Sequence, residues 1–247
     1  VGQHLYEIAA KKLIKIVLEL GGSAPGIVFE DANIDQAIES IYFSRFIHSG
    51  QICDGLKRLI VHTSRFEEMI QKLTAYLSTK KVGDPTDPKT DIGPLISKES
   101  AETIQAQVTD ANDKGATIAV GGASYTNTYG SFFPPTILTN VTTSMRVWKE
   151  EVFGPVLPVI AFNTEEEAVI LANDTIYGLG AYIYTADLNR AKRVSRQIRS
   201  GMVSINTAYY LRPENPWGGY KKSGLGRGNG KFGLHDLCQI KVVASEK

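Results

Sequence analysis

Short apolar runs alternate with amphipathic stretches along most of this chain, and that alternation limits its fold more than any single residue does. Residues 25–29, 58–62, 117–120, 155–162, 180–184 and 201–205 are short and largely apolar, and turn-forming residues between them mark them as strands. Between these runs, residues 65–80, 97–114, 164–173 and 187–199 return apolar side chains at helical spacing. A further helix opens at Asp31-Ala32-Asn33-Ile34-Asp35, where acidic residues suit the helix dipole. It carries Ala37, Ile38, Ile41, Tyr42 and Phe46 at helical spacing and ends near Ser49-Gly50. Strand and helix in alternation predict an α/β fold, with a largely parallel sheet flanked by helices on both faces. Residues 5–12 read as the end of a helix, 14–18 as a strand, and 121–131 as a loop.

Composition narrows the function classes. The 247 residues carry a net charge of +1, with 43% hydrophobic and 21% charged residues, ordinary for a globular enzyme. No basic block interleaves with aromatics, so no nucleic-acid partner is expected. No apolar stretch approaches the roughly 20 residues that span a bilayer, so no membrane partner is expected either. Val1-Gly2-Gln3-His4 does not read as a signal peptide. Cys53 and Cys238 are far apart, which argues against a disulfide framework and for a reducing, cytoplasmic location. His48, His62 and His235 lack metal-ligand spacing, so no metal site is expected.

Chemistry concentrates at three turns. Glu19-Leu20-Gly21-Gly22 and Gly50-Gln51-Ile52-Cys53 each follow an apolar run and offer a carboxylate or a thiol beside glycine. A thiolate can attack a carbonyl and hold the product as a thioester, and a carboxylate can activate the water that releases it. In Glu150-Glu151-Val152-Phe153-Gly154-Pro155 the Phe-Gly-Pro turn exposes one carboxylate and one aromatic ring. Each has a plainer reading. A lone cysteine after a helix is most often a small buried hydrophobe, and Cys238 is read so. Glu19 can be a strand-end surface charge, and Glu150 and Glu151 helix-surface charges. The Gly50-Gln51 pair and the company of Glu19 favour a nucleophile at Cys53. The run ahead of Glu19 favours a partly buried carboxylate. The glycine-rich Ser223-Gly224-Leu225-Gly226-Arg227-Gly228-Asn229-Gly230 mimics a nucleotide loop, but Asn229 fills the third glycine position and no βαβ unit surrounds it.

In this order and spacing, the three turns closely resemble the aldehyde dehydrogenase family, and the resemblance runs the length of the chain. It implies an aldehyde dehydrogenase-like catalytic domain at 21–218. Residues 1–20 would be the end of a dinucleotide-binding domain, and 219–247 a return segment with an oligomerisation strand. The implied reaction oxidises an aldehyde to the carboxylic acid with NAD or NADP as cofactor. Cys53 would attack the aldehyde, its own N–H helping to hold the oxyanion. Hydride would pass to the nicotinamide, and Glu19 would activate the water that hydrolyses the thioester. Glu151 would hold the nicotinamide-ribose hydroxyls, Phe153 would rest against the nicotinamide ring, and the backbone around Leu20 would meet its carboxamide. Members of the family are longer. Most of the dinucleotide-binding domain, with the asparagine that completes the oxyanion hole, is therefore expected outside this chain, and the chain alone is expected not to turn over aldehyde with cofactor.

Two positions depart from the family's pattern. His48 stands where many members have asparagine, and Asp54 follows the cysteine where a small or hydroxyl residue is common. An Asp54 pointing into the pocket would raise the thiol pKa by like-charge repulsion; the favoured alternative turns it away toward backbone donors. Cys53-Asp54-Gly55-Leu56-Lys57-Arg58 resembles the branch that includes glyceraldehyde, non-phosphorylating glyceraldehyde-3-phosphate and succinate-semialdehyde dehydrogenases. A small polar aldehyde is the implied substrate. Ile52 and Asp54 would flank it and Trp217 would line the pocket wall. Arg212, in the loop with Tyr209 and Tyr210, is either a clamp for an anionic group or a solvated loop cation. Two other functions stay open: a cofactor-independent thiol esterase or hydrolase using Cys53 and Glu19, and a non-catalytic module, which the presence of both residues disfavours. Residues 237–243 alternate in polarity and read as a strand with an apolar face and no hairpin partner nearby. Open edges of that kind are normally paired, and the resemblance implies a homodimer or homotetramer.

Overall fold

The computed structural model describes residues 1–246. From the N-terminus the chain forms α1 (Gly2–Lys12), β1 (Leu18–Glu19), β2 (Ala24–Val28), α2 (Ile34–Phe46), β3 (Leu56–His62) and α3 (Phe66–Ser78). The middle gives α4 (Lys98–Asp113), β4 (Thr117–Val120), β5 (Tyr125–Asn127), β6 (Gly130–Phe132), β7 (Thr136–Thr139) and α5 (Arg146–Lys149). The remainder is β8 (Val156–Phe162), α6 (Glu165–Asn173), β9 (Tyr182–Tyr184), α7 (Leu188–Gln197), β10 (Ser204–Ile205), β11 (Gly224–Leu225) and α8 (Gly230–Leu237). Seven strands make one sheet in the order β10-β9-β2-β3-β8-β7-β4. All neighbours are parallel except β4, which runs antiparallel to β7 at one edge.

Local chemistry sets where the helices start. Asn33, Ser97, Thr164 and Asp187 each accept a backbone N–H from the first turn of the helix that follows, the expected role of an N-cap. Alternation along the strands then feeds two cores. Ile27, Ile60, Val156 and Ile183 face one side with α4, α6 and α7. Val28, Leu59, Val61, Leu157 and Tyr182 face the other, with α2 and α3. The α/β reading therefore holds, with helices on both faces.

Three local expectations change, and two short elements, β7 and α5, appear where none was expected. The strand read at 14–18 shrinks to Leu18–Glu19, because Leu13 closes α1 in a left-handed conformation and the short β11 offers only two partners. The loop at 121–131 contains a hairpin, β5 with β6, joined by a two-residue turn at Thr128-Tyr129, after which Gly130 opens β6 at a φ of 135°. β7 and the single turn α5 carry too few residues to show a period. The strand read at 237–243 does not form: Leu237 ends α8 and the residues after it are irregular and exposed. A ladder needs a partner edge, and none is paired with it among the described residues.

Candidate active site

Each of the three motif turns leads into a strand of the sheet: Gly22 precedes β2, Cys53 precedes β3, and Gly154 precedes β8. β3 lies between β2 and β8, and all three are parallel. Their incoming turns therefore emerge at one end of the sheet. It is the N-terminal end, opposite to the carboxyl-end crevice where open α/β sheets usually bind ligands.

Glycine lets these turns touch. A Cβ at Gly22 would lie 2.5 Å from the Cys53 carbonyl oxygen, and one at Gly21 would collide with the Glu151 carboxylate. Gly50, at a φ of 70°, abuts the Gly154 carbonyl in the same way. His48 and Ser49 before it are also left-handed, at φ of 50° and 56°. Asn and His tolerate that region better than most residues, so His48 in place of asparagine is compatible with the turn. The Ser49 hydroxyl donates to the Gly93 carbonyl at 2.8 Å and anchors it.

Three buried cations complete the frame, and the sequence reading gave none of them a role. Arg45, at the end of α2, donates to the carbonyls of Val152, Gly154 and Val156 and so shapes the Phe153-Gly154-Pro155 turn. Burial lowers its pKa to about 9. Lys57 donates to the carbonyls of Gly22 (2.9 Å) and Cys53 (3.2 Å) and to the Glu151 carboxylate. Its ammonium stands 5.2 Å from the centre of the Phe153 ring. Burial lowers its pKa to about 8, against the opposing pull of Glu151. Arg58, one residue on, points to the other face, where it binds the carbonyls of Ser23, Leu171 and Ala172 and lies over Trp148. The signal for all three was a cation inside an otherwise apolar, buried stretch.

Cys53 is a half-buried free thiol. Burial pushes its pKa up and the Asp54 charge adds to this; Lys57 and the N–H groups of Asp54 and Cys53 oppose it. The thiol donates to Asp54 Oδ1 at 4.0 Å, so the Asp54 carboxylate faces the Cys53 sulfur rather than turning away from it. The Asp54 carbonyl explains this choice: it accepts from the hydroxyls of Tyr182 (3.1 Å) and Tyr210 (3.4 Å), which fixes the peptide. Burial raises the Asp54 pKa, countered in part by Tyr210 and Lys57. Ile52 is half-buried, and its carbonyl accepts the Gly55 N–H at 3.3 Å to close the turn.

Glu19 is exposed, not partly buried as read from the sequence. β1 belongs to a two-stranded ribbon with β11 outside the main sheet, so little packs over its side chain. Its neighbour is the glycine-rich segment set aside as a phosphate loop: a Cβ at Gly228 would lie 2.7 Å from Glu19 Oε1 and 3.9 Å from the Trp217 Cβ. Trp217 and Gly228 exchange backbone hydrogen bonds at 2.7 and 2.6 Å. Trp217 is buried with Tyr210 in the core that Cys53 packs against.

A cavity of about 410 Å³ opens beside these turns, with Leu20, Gly21, Glu151 and Tyr177 among its lining. The Leu20 N–H is committed to the Ser223 carbonyl at 3.0 Å, which leaves the carbonyl for a ligand. Glu151 also accepts the Gly22 N–H at 3.0 Å, whereas Glu150 is tied outward to Arg146 and Gln107. Phe153 is exposed and lines a neighbouring cavity with His48 and Gln51. Arg212 stands apart: it is exposed, and its side chain makes no hydrogen bond or ion pair among the described residues.

The family model for the aldehyde dehydrogenase family matches residues 1–243. The chain belongs to that family. It is 44% identical over 243 residues to the peroxisomal aminoaldehyde dehydrogenase 2 of Pisum sativum, covering 98% of this chain and 48% of the relative. It is 41% identical to the NADP(+) succinate-semialdehyde dehydrogenase of Escherichia coli, covering 98% of this chain and 50% of the relative. A crystal structure of Staphylococcus aureus betaine aldehyde dehydrogenase in complex with NAD+ matches with a TM-score of 0.91 at 41% identity, over 95% of this chain and 47% of that one. This aldehyde dehydrogenase chain thus spans about half the length of the curated relatives it matches. Those relatives include peroxisomal and chloroplastic proteins, so membership in the family does not itself argue for the cytoplasm. Among the described residues no helix is long and apolar enough to cross a membrane.

Proposed function

We propose that this chain carries the catalytic residues of an NAD(P)-dependent aldehyde dehydrogenase acting on a small polar aldehyde. The observation that carries the reading is the packing of three turns, which sets the Cys53 carbonyl against Gly22 and links it, through Lys57, to the Glu151 carboxylate of an open cavity, with the half-buried Cys53 thiol on the same turn.

In this scheme the Cys53 thiolate attacks the carbonyl carbon. The N–H groups of Cys53 and Asp54, which face the sulfur, offer donors near the oxyanion of the resulting thiohemiacetal. NAD or NADP, when bound, supplies the acceptor for the hydride. An acidic Glu151, the Leu20 carbonyl and the aromatic Phe153 suit the ribose, carboxamide and ring of a nicotinamide nucleotide, and the cavity has room for one end of it. The thioester left on Cys53 then needs water and a base. Glu19, exposed beside Gly228 and near Trp217, can reach solvent and take the proton.

The relatives' names span aminoaldehydes, betaine aldehyde and succinate semialdehyde. We assign Ile52, Asp54 and Trp217 to the substrate side by their positions around the thiol, and Arg212 to a solvent-facing contact with an anionic substrate. The exposed Ile240 and Val242 and the alternating tail are the proposed pairing edge of a homodimer or homotetramer, and the two free cysteines suit a reducing compartment. The direct test supplies the intact protein with short hydroxy-, amino- and carboxy-aldehydes and NAD or NADP, following reduced nicotinamide. Cofactor-dependent acid formation is expected. Ester hydrolysis without any nicotinamide reduction would favour a plain thiol hydrolase instead.

A further inference from the structure

We propose that Lys57 is a positioning residue that couples the nucleophile to the carboxylate of the cofactor cavity. The inference rests on the roles given above to Cys53 and Glu151. An ammonium has three N–H donors, and Lys57 meets three acceptors, each from a different turn: the Gly22 carbonyl, the Cys53 carbonyl and Glu151 Oε1. A shift of any one turn therefore disturbs the hold on the other two.

The two oxygens of Glu151 are not equivalent. Oε1 accepts both the Gly22 N–H and the Lys57 ammonium. Oε2 lies against Gly21, a residue of the cavity wall, where a Cβ would collide with it. Lys57 thus pins one oxygen inside and leaves the other toward the cavity, oriented for a hydroxyl donor. Arg58 provides the contrast of a structural cation: equally buried in the same strand, it binds backbone carbonyls and an indole face and touches none of the three turns' acidic or thiol groups.

Charge completes the coupling. Cys53 is faced by Asp54 and Lys57, and Lys57 in turn by Glu151 and Arg45. A lysine buried without its carboxylate gives up its proton, so Glu151 helps keep Lys57 charged near neutral pH, below its pKa of about 8, and there the charge favours the Cys53 thiolate.

The test follows the pH dependence of Cys53 alkylation by iodoacetamide in the intact protein, in a Cys238→Ser background, alongside calorimetric binding of NAD and NADP. Lys57→Met should slow alkylation about tenfold at pH 7, where Lys57 is charged, as about tenfold less thiolate is present, and weaken nicotinamide binding about tenfold. Glu151→Gln should slow alkylation at pH 7 in the same direction, although it never touches the sulfur. Lys57→Arg, which keeps the charge, should restore the wild-type rate. An unchanged rate at pH 7 in folded Lys57→Met overturns the proposal; where that variant does not fold, an unchanged rate in Glu151→Gln does so. Aldehyde oxidation that persists without these changes sinks the coupling alone. Changes that persist in a protein unable to oxidise aldehydes leave the coupling standing and remove the assigned reaction.

Discussion

The turn at residues 50–55 and the loop at 206–216 both border the proposed site, yet they are built in opposite ways. Around Cys53 almost every position is constrained. Gly22 and Gly50 abut backbone, the Asp54 carbonyl receives two tyrosine hydroxyls, and Lys57 ties the Cys53 peptide to two other turns. In the second loop, Tyr209 and the run 211–216 are exposed. What holds it is mostly local: Asn215 bonds back to Arg212 and Tyr210, and Tyr209 leans on Phe43 with ring centres 5.1 Å apart. The proposed nucleophile sits where many contacts fix one geometry, and the proposed specificity loop where few do. Change should therefore be costly at the first and cheap at the second.

The sharpest break of this contrast is removal of the reacting groups. Cys53→Ala should abolish aldehyde oxidation while nicotinamide binding persists; substantial residual turnover by the variant would refute the nucleophile. Glu19→Gln should slow thioester hydrolysis by about 10²–10⁴-fold, so that acylated Cys53 accumulates and becomes visible by mass spectrometry. Hydride transfer failing first, with no acylated protein, would assign the base elsewhere.

Next in size is packing. Gly22→Ala sets a methyl 2.5 Å from the Cys53 backbone carbonyl, which cannot give way as a side chain could, and should destabilise by about 1–3 kcal/mol. Thermal unfolding should register a loss of roughly 2–4 °C per kcal/mol for a chain of this size. An unshifted unfolding temperature would mean that the turns are looser than their contacts imply.

Asp54→Asn should act on titration more than on stability. Burial and then the Asp54 charge raise the Cys53 pKa. Loss of that charge should lower the pH midpoint of thiol alkylation by up to about one unit, with faster alkylation at pH values below it. A midpoint that rises instead would refute the like-charge effect of Asp54 on the thiol.

The smallest effect belongs to the open loop. Arg212→Ala should leave stability within about 0.5 kcal/mol and raise KM for a carboxy-aldehyde, but not for a neutral one, by no more than about fivefold. An exposed ionic contact contributes about 0.2–1 kcal/mol, less than a buried clamp would. Equal KM changes for both substrates would make Arg212 a solvated cation.

Much of the candidate site was legible in the sequence because its chemistry is local. Glu19, Cys53 and Glu151 each stand in a glycine-marked turn ahead of an apolar run, and turn residues and strand periods are short-range signals. Local signals also set the helix starts at Asn33, Ser97, Thr164 and Asp187. They failed where a segment has no period of its own, as at β7 and α5. The tail after Leu237 failed for another reason: its alternation is real, but a strand exists only against a partner. Tertiary structure alone decided that β3 lies between β2 and β8, which gathers three distant turns at one end of the sheet. It also decided that Asp54 faces the thiol, that Glu19 stays exposed, and that Lys57 rather than Arg58 reaches the site. Sequence neighbours cannot express these facts, because each depends on which strand is adjacent and which face a buried cation meets, and the two cores on either side of the sheet determine both.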